Sequence, residues 1–180
     1  MSEDLPSEQE AIAMLRKSGC NPNVIRHSKA VAKLSVEIAK ELDRKMDVDV
    51  NLIKVGALLH DIGRSNTHSA EHAVVGAEIA RSLGLPLRII SIIERHIGGG
   101  ITRKEAKELG WPAKSYMPKT IEEKIVAYAD KLIEGSKRVP IDRTIKSFEE
   151  KLGSEHAAIR RLERLHREMS SLLSDLEKAP

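Results

Sequence analysis

The stretch "VGALLHDIGR", Val55–Arg64, decides how this chain is read. Apolar and small residues from Val55 to Leu59 run directly into His60 and Asp61, so two ionisable groups stand side by side at the end of a strongly apolar helical segment. A lone carboxylate buried there costs several kcal/mol unless it is paired or bound to a metal. The explanation has to come from other parts of the chain.

On a helix, residues three and four apart share a face. By that rule His27 sits with Ala30, Val31 and Leu34, and His72 with Val75, Gly76 and Ile79. His96 follows Ile89, Ile92 and Ile93, and Asp130 sits with Val126, Ala127 and Ile133. With His60 and Asp61 this makes six polar groups on five helices, all on apolar faces. Each has an ordinary explanation alone. A single histidine on an apolar face is usually a satisfied core residue, and Asp130 has Lys124, Lys131 and Arg138 as candidate ion-pair partners. The conjunction of two carboxylates and four histidines calls for a shared cause. A metal centre supplies one, because the cation stabilises the carboxylates and takes neutral imidazole nitrogens. Neighbours on a helix point ~100° apart, but at a helix end both His60 and Asp61 can bend toward one ion. Gly63 then lets the backbone turn sharply away.

Composition agrees with a helical domain. The 180 residues suit one domain with a sizeable core. Aromatics are only 2 %, so the core is built from Leu, Ile, Val and Ala, which favours packed helices. A net charge of +3 is compatible with phosphate-bearing substrates. It gives no support to nucleic acid as a partner, since there is no long basic block and few aromatics for base stacking. The single Cys20 excludes an internal disulfide and a cysteine zinc cluster. The acidic opening "MSEDLPSEQE" is unlike a signal peptide, and no apolar run approaches membrane-spanning length. A cytoplasmic location, without a membrane, is the expectation.

The expected organisation is all-α and single-domain: an N-terminal helix within 1–22, a core over 23–135, and a C-terminal helical extension, 136–180, packed on it. Helices are expected from Ser7 to about Lys17, from Asn21-Pro22-Asn23 to about Arg44, and over about 50–61, 70–83 and 87–96. Further helices are expected after Thr102 and over about 121–134, the latter opened by the capping-box pattern of Thr120 and Glu123. No alternating strand pattern is evident. From Ile141 the chain is helical with a break at Gly153-Ser154. Leu152, Ile159, Leu162, Leu165, Met169, Leu172 and Leu176 form one stripe, expected to pack on the domain, with a homodimer seam as the other reading.

These residues resemble the HD superfamily of metal-dependent phosphohydrolases. The family pattern is a His, then His-Asp, then a distant Asp, all on helices; here those are His27, His60-Asp61 and Asp130. "LLHDIGR" and "IVAYADKL" resemble the family's two most recognisable segments. "EHAVVGAEIA" and "IIERHIGG" are similar to segments of bacterial di-iron enzymes that cleave diadenosine tetraphosphate. The resemblance implies an HD-type helical bundle binding one or two divalent ions, of iron, manganese, zinc, cobalt or nickel. It implies that His27, His60 and Asp130 hold the first ion, that His72 and His96 hold the second, and that Asp61 bridges them and can accept a proton.

The implied reaction is hydrolysis of a phosphoester or phosphoanhydride of a nucleotide or dinucleotide by a metal-activated water. Arg64, Lys131 and Arg138 are the expected phosphate-binding side chains, with Lys137 a weaker candidate. Arg64 joins Asp61 as an expected catalytic residue. A one-metal nucleotidase-like enzyme and a nucleotide-binding module without turnover are the alternatives. His68, four residues before His72, is expected at the surface or beside the ligands, and His156 and His166 in solvent. Trp111 and Tyr116 are available either to stack on a base or to anchor their loop.

Overall fold

Local signals start the helices where expected in the computed structural model, which describes residues 4–177, with side chains through Ser174. Ser7 and Glu10 form a capping box on α1 (Glu8–Lys17). Asn21 Oδ1 caps α2 (Pro22–Leu42), whose first residue is a proline that lacks only an orphan N–H. Asp49 caps α3 (Val50–Leu59). A 3-10 turn, Ile62–Ser65, follows. Then come α4 (His72–Ser82), α5 (Leu87–Glu94), α6 (Arg103–Glu108, capped by Thr102) and α7 (Ile121–Lys131, capped by Thr120). After α7 the chain makes a small hairpin, β1 (Ile133–Glu134) with β2 (Lys137–Arg138), and ends in α8 (Ile141–Leu152) and α9 (Ala157–Glu177).

Packing centres on α3. It lies against α2 along its length and also meets α1, α5 and α7, so its residues from Leu52 to Leu59 are almost all buried. Most of the α9 stripe is taken up by this core: Leu162, Leu165 and Met169 are buried in it, with Leu172 half-buried beside them, and Ile159 is buried as well. Leu152 does not join the stripe and is 44 % exposed; Leu176 lies outside the described side chains. Cys20 stands in a loop as its position implies, but its thiol is buried and donates to the Ile62 carbonyl (3.5 Å). No helix among the described residues is long and apolar enough to cross a membrane.

Two details differ from the sequence reading. The helix expected to reach residue 134 stops at Lys131, because residues 133–138 form a hairpin too short to leave an alternating pattern. Gly135, at φ +61, supplies the left-handed turn residue. The second difference concerns Gly63. The backbone does not turn away there but continues as the 3-10 turn, and Gly63 is absent from the positive-φ glycines. Its need is close approach. A Cβ at Gly63 would fall 1.9 Å from the His72 carbonyl oxygen and 2.6 Å from the Gly76 nitrogen. Backbone lies on backbone there, with Gly76 on the facing side, and this seats α4 against the His60-Asp61 corner.

Candidate metal centre

His60 follows the last residue of α3 in helical geometry (φ −54, ψ −35). Asp61, at φ −100 and ψ 15, sits in the bridge region where the α-helix gives way to the 3-10 turn. That change of path is why two neighbours in sequence face one centre. His27 comes from α2, His72 from the first position of α4, His96 from just past α5, and Asp130 from the last turn of α7.

All four imidazoles are held the same way. His60 Nδ1 donates to the Ala57 carbonyl (2.6 Å), His72 Nδ1 to Ser69 (2.7 Å), His96 Nδ1 to Ile93 (2.6 Å) and His27 Nδ1 to Gly135 (2.7 Å). A carbonyl can only accept, so each Nδ1 carries a proton, and each ring, when neutral, presents a bare Nε2 lone pair. The four Nε2 atoms converge. His72 Nε2 and His96 Nε2 face each other at 2.9 Å, and the buried His60 Nε2 and Asp61 Oδ1 have no hydrogen-bond partner. Lone pairs aimed at one another repel unless a cation stands among them. This donor set, neutral imidazole plus carboxylate, therefore fits divalent metal.

The carboxylates divide the centre into two halves. Asp61 Oδ1 lies 3.0 Å from His72 Nε2 and 3.4 Å from His96 Nε2. Asp61 Oδ2 lies 3.6 Å from His60 Nε2 and 3.8 Å from His27 Nε2. Asp130 Oδ1 lies 2.9 Å from His27 and 3.4 Å from His60. His27, His60 and Asp130 thus form one candidate cluster, and His60, Asp61 and His96 another beside it.

The expected phosphate-binding residues fare differently. Arg64 Nε donates to Asp61 Oδ2 (2.8 Å) and Lys131 pairs with Asp130 Oδ2, so each of these side chains steadies a candidate ligand carboxylate. Both still line a cavity of about 470 Å³ that opens onto His27 and Asp130. Arg138 is exposed on β2 and does not line that cavity; Arg143 and Lys151 of α8 do. Arg143 also pairs with Glu134 (2.7 Å). Thr144 Oγ1 donates to the Lys131 carbonyl (2.6 Å), tying α8 to the helix end that carries Asp130. The α8 residues of the cavity, Arg143, Thr144, Ser147, Phe148 and Lys151, are one helix face. Their spacing is visible in the sequence, but their types are ordinary.

The remaining histidines and aromatics lie outside the cluster, although His68 lines a cavity of about 380 Å³ beside it with His27, Asp61 and Arg64. His68 is exposed, although its carbonyl meets the Arg64 guanidinium (3.4 Å). His156 is exposed, as expected. His166 corrects its expectation: it is half-buried and its Nδ1 shares a hydrogen bond with the Tyr128 hydroxyl (2.9 Å). Trp111 and Tyr116 pack edge to face in a small cluster of their own with Ala106, so they anchor the loop.

Electrostatics follow from burial and from these pairings. Burial opposes the ionised form of Asp61, yet His60, His72 and His96 together hold its carboxyl well below the usual range. Asp130 is also well below its usual value, since Lys131, His27 and His60 outweigh burial. For His60, burial is outweighed by Asp61 and Asp130, and its pKa is raised. For His96, burial dominates despite Asp61, and its pKa is pushed down to about 4.

The signs give a pH prediction for the chelated protein. A lowered His96 means that below its ordinary 6.5 the unfolded chain takes up a proton that the folded chain refuses until about 4. Stability therefore falls as pH drops through that window, by about 3 kcal/mol from this group. A raised His60 adds stability below 6.5 that is lost as pH rises through its folded value. Asp61 and Asp130 add stability above 3.8 that is lost only at more acid pH. The thermal midpoint in chelator should peak near pH 6.5, measured by scanning calorimetry. A midpoint still rising from pH 6 to pH 4.5 would contradict this assignment.

The hairpin carries a second prediction. Gly135→Val forces a β-branched residue into φ +61 and displaces the carbonyl that holds His27. Metal affinity should fall about 10- to 100-fold, as when a ligand's supporting partner is lost. Gly135→Asn, which tolerates that φ, should retain it. Equal affinity for both variants in a metal titration would show that the hairpin does not orient His27.

This ligand pattern on a helical scaffold defines a class: the helical metal-dependent phosphohydrolases. The chain belongs to the HD domain family, whose model matches residues 24–135. It is 52 % identical to an uncharacterized protein of Methanocaldococcus jannaschii, over 92 % of this chain and 98 % of that one. It is also 44 % identical to a tRNA (cytidine(56)-2'-O)-methyltransferase of Thermoplasma volcanium, over 94 % of this chain but 48 % of that protein, so the chain spans about half the length of this relative. Among solved structures, the L. monocytogenes phosphodiesterase PgpH HD domain in complex with cyclic-di-AMP superposes with a TM-score of 0.53. That match has 19 % identity and covers 95 % of this chain and 98 % of that one, which shows a shared fold.

Proposed function

We propose that this protein is a two-ion phosphohydrolase that cleaves a phosphoester or phosphoanhydride of a nucleotide. The observation that carries the reading is the His72–His96 pair: two Nδ1-protonated rings with their Nε2 atoms 2.9 Å apart, both against Asp61 Oδ1. A one-ion enzyme that used only His27, His60, Asp61 and Asp130 has no need of that pair. His27, His60 and Asp130 would hold one cation, His72 and His96 the other, and Asp61 would join them. Bound divalent cations lower the pKa of water and screen charge on a phosphoryl group.

The protein's own residues do the rest. Lys131 holds the outer oxygen of Asp130 and leaves its inner oxygen toward His27 and His60, while Arg64 steadies Asp61 through Oδ2, the oxygen that also faces His27 and His60. Both of Asp61's oxygens are committed in this way, so it acts as a ligand, and the base role implied by resemblance passes to solvent. Arg64, Lys131 and Lys151 leave positive charge on the cavity wall, where phosphoryl oxygens collect it. A cavity of about 470 Å³ is large enough for a nucleotide-sized ligand. The nucleotide itself is supported by the PgpH neighbour, whose HD domain is seen with cyclic-di-AMP.

The test is metal content by elemental analysis on untagged protein, for wild type and His72→Ala, followed by a panel of nucleotide phosphoesters with manganese or ferrous iron. Two equivalents in wild type and one in the variant are expected, with turnover by wild type. One equivalent in both sinks the two-ion site. A metal-loaded protein inert over the whole panel favours a binding module. One observation recommends widening the panel: the Thermoplasma volcanium relative, of which this chain matches 48 %, carries the name of a tRNA methyltransferase. RNA-derived substrates, such as 2',3'-cyclic nucleotides, therefore belong in it.

A further inference from the structure

The cavity beside the candidate metal centre does not end at α8. A second cavity, of about 360 Å³, adjoins it, and Phe148 and Lys151 line both. The two differ in chemistry. The first is lined by His27, Asp130, Arg64 and Lys131. The second is mainly apolar, walled by Ile97, Ile101, Leu109 and Leu152 and floored by Gly98 and its neighbours. Leu109 is 52 % exposed and Leu152 44 %, so apolar side chains stand uncovered at its rim. The Phe148 ring edge faces Gly98, where an added Cβ would meet Cε1 at 3.5 Å. Gly98 lies two residues after His96, so this wall is built from the same corner as the centre.

The sequence holds one Phe, one Trp and two Tyr. Trp111 and Tyr116 are buried against each other, and Tyr128 is engaged with His166. Phe148 is left, half-buried, on the partition between a charged cavity and an apolar one. Building on the reading that phosphate binds at the candidate metal centre, we propose that Phe148 is the platform for the substrate's nucleobase. The phosphate occupies the first cavity, and the flat base lies over Phe148 into the second. Lys151, at the junction, reaches the phosphate side from the same helix turn. A base stacked on an aromatic ring gains affinity with little regard to which base it is, so the site favours nucleotides over base-less sugar phosphates.

The test is binding of three probes to manganese-loaded protein by calorimetry: inorganic phosphate, ribose 5-phosphate and adenosine 5'-monophosphate. Wild type should bind the nucleotide about tenfold or more tighter than the sugar phosphate. Phe148→Leu should bring the nucleotide down to the sugar phosphate's affinity and leave both base-less probes unchanged, while Phe148→Tyr should keep the preference. Phe148→Trp supplies an independent readout, with fluorescence quenched by the nucleotide and not by ribose 5-phosphate. Phosphate binding without a base preference, or equal losses for all probes in Phe148→Leu, overturns the platform and leaves the hydrolase reading standing. If none of the probes binds the metal-loaded protein, phosphate recognition at the centre falls, and the platform falls with it.

Discussion

Asp61→Asn should strip the protein of its ability to hold metal in either half of the centre and lower phosphohydrolase activity by about 10³-fold or more. The size follows from the position. Loss of a group that merely supports a ligand costs about 10- to 100-fold, and Asp61 faces His72 and His96 through one oxygen and His27 and His60 through the other. The amide has nearly the same shape but no charge to offset a cation. Its NH₂ must also face one of the two histidine pairs, where it would donate to the bare Nε2 atoms and satisfy them without metal.

A stability measurement separates this from misfolding. In wild type, metal at about 1,000 times its Kd should add about 4 kcal/mol, which is roughly 8–16 °C in thermal midpoint for a chain of this size. In Asp61→Asn that shift should vanish. The chelated variant should still unfold cooperatively but melt lower than chelated wild type, since it loses the ionised carboxyl that Arg64 and the surrounding histidines hold well below its usual range. Two equivalents of metal and a wild-type shift in the variant would refute the bridging role.

The six candidate ligand positions stood out in the sequence because each breaks a helical pattern. His27, His72, His96 and Asp130 are polar residues on apolar faces, and His60-Asp61 ends the most buried helix. Periodicity exposes such exceptions, and the expected all-α architecture follows from the same periodicity. Three things were not legible. The Nδ1 partners are backbone carbonyls, and Gly135 reaches His27 across more than a hundred residues of sequence. Arg64 and Lys131 read as phosphate binders from their charge, while the geometry also turns each onto a carboxylate. The α8 face has no unusual residue except the chain's one phenylalanine, and its meaning depends on a helix–helix placement that local sequence does not encode.

Gly63 is the sharpest case, and Gly63→Ala the second large effect to expect. Sequence reading assigns this glycine a turn, but its φ is not left-handed and alanine is a good residue for a helical turn. On conformational grounds the substitution should be mild. Packing predicts otherwise. The new methyl would meet His72 O at 1.9 Å, Gly76 N at 2.6 Å and His72 C at 2.8 Å, all of them backbone. No rotamer change relieves those contacts, so the first turn of α4 has to move by about an ångström or more, carrying His72 away from Asp61. Overpacking of this kind costs about 1–3 kcal/mol, or roughly 2–12 °C in thermal midpoint. The functional loss should be larger, since an ångström of misplacement at a reacting centre costs about 10²-fold. Metal content should fall from two equivalents to one, as for His72→Ala, while the half formed by His27, His60 and Asp130 survives. Gly19→Ala is the control: it is strained at φ +91 but has nothing within 4 Å, so it should lose stability without losing metal. If Gly63→Ala keeps both ions and full activity, the contact between the 3-10 turn and α4 does not set the position of His72.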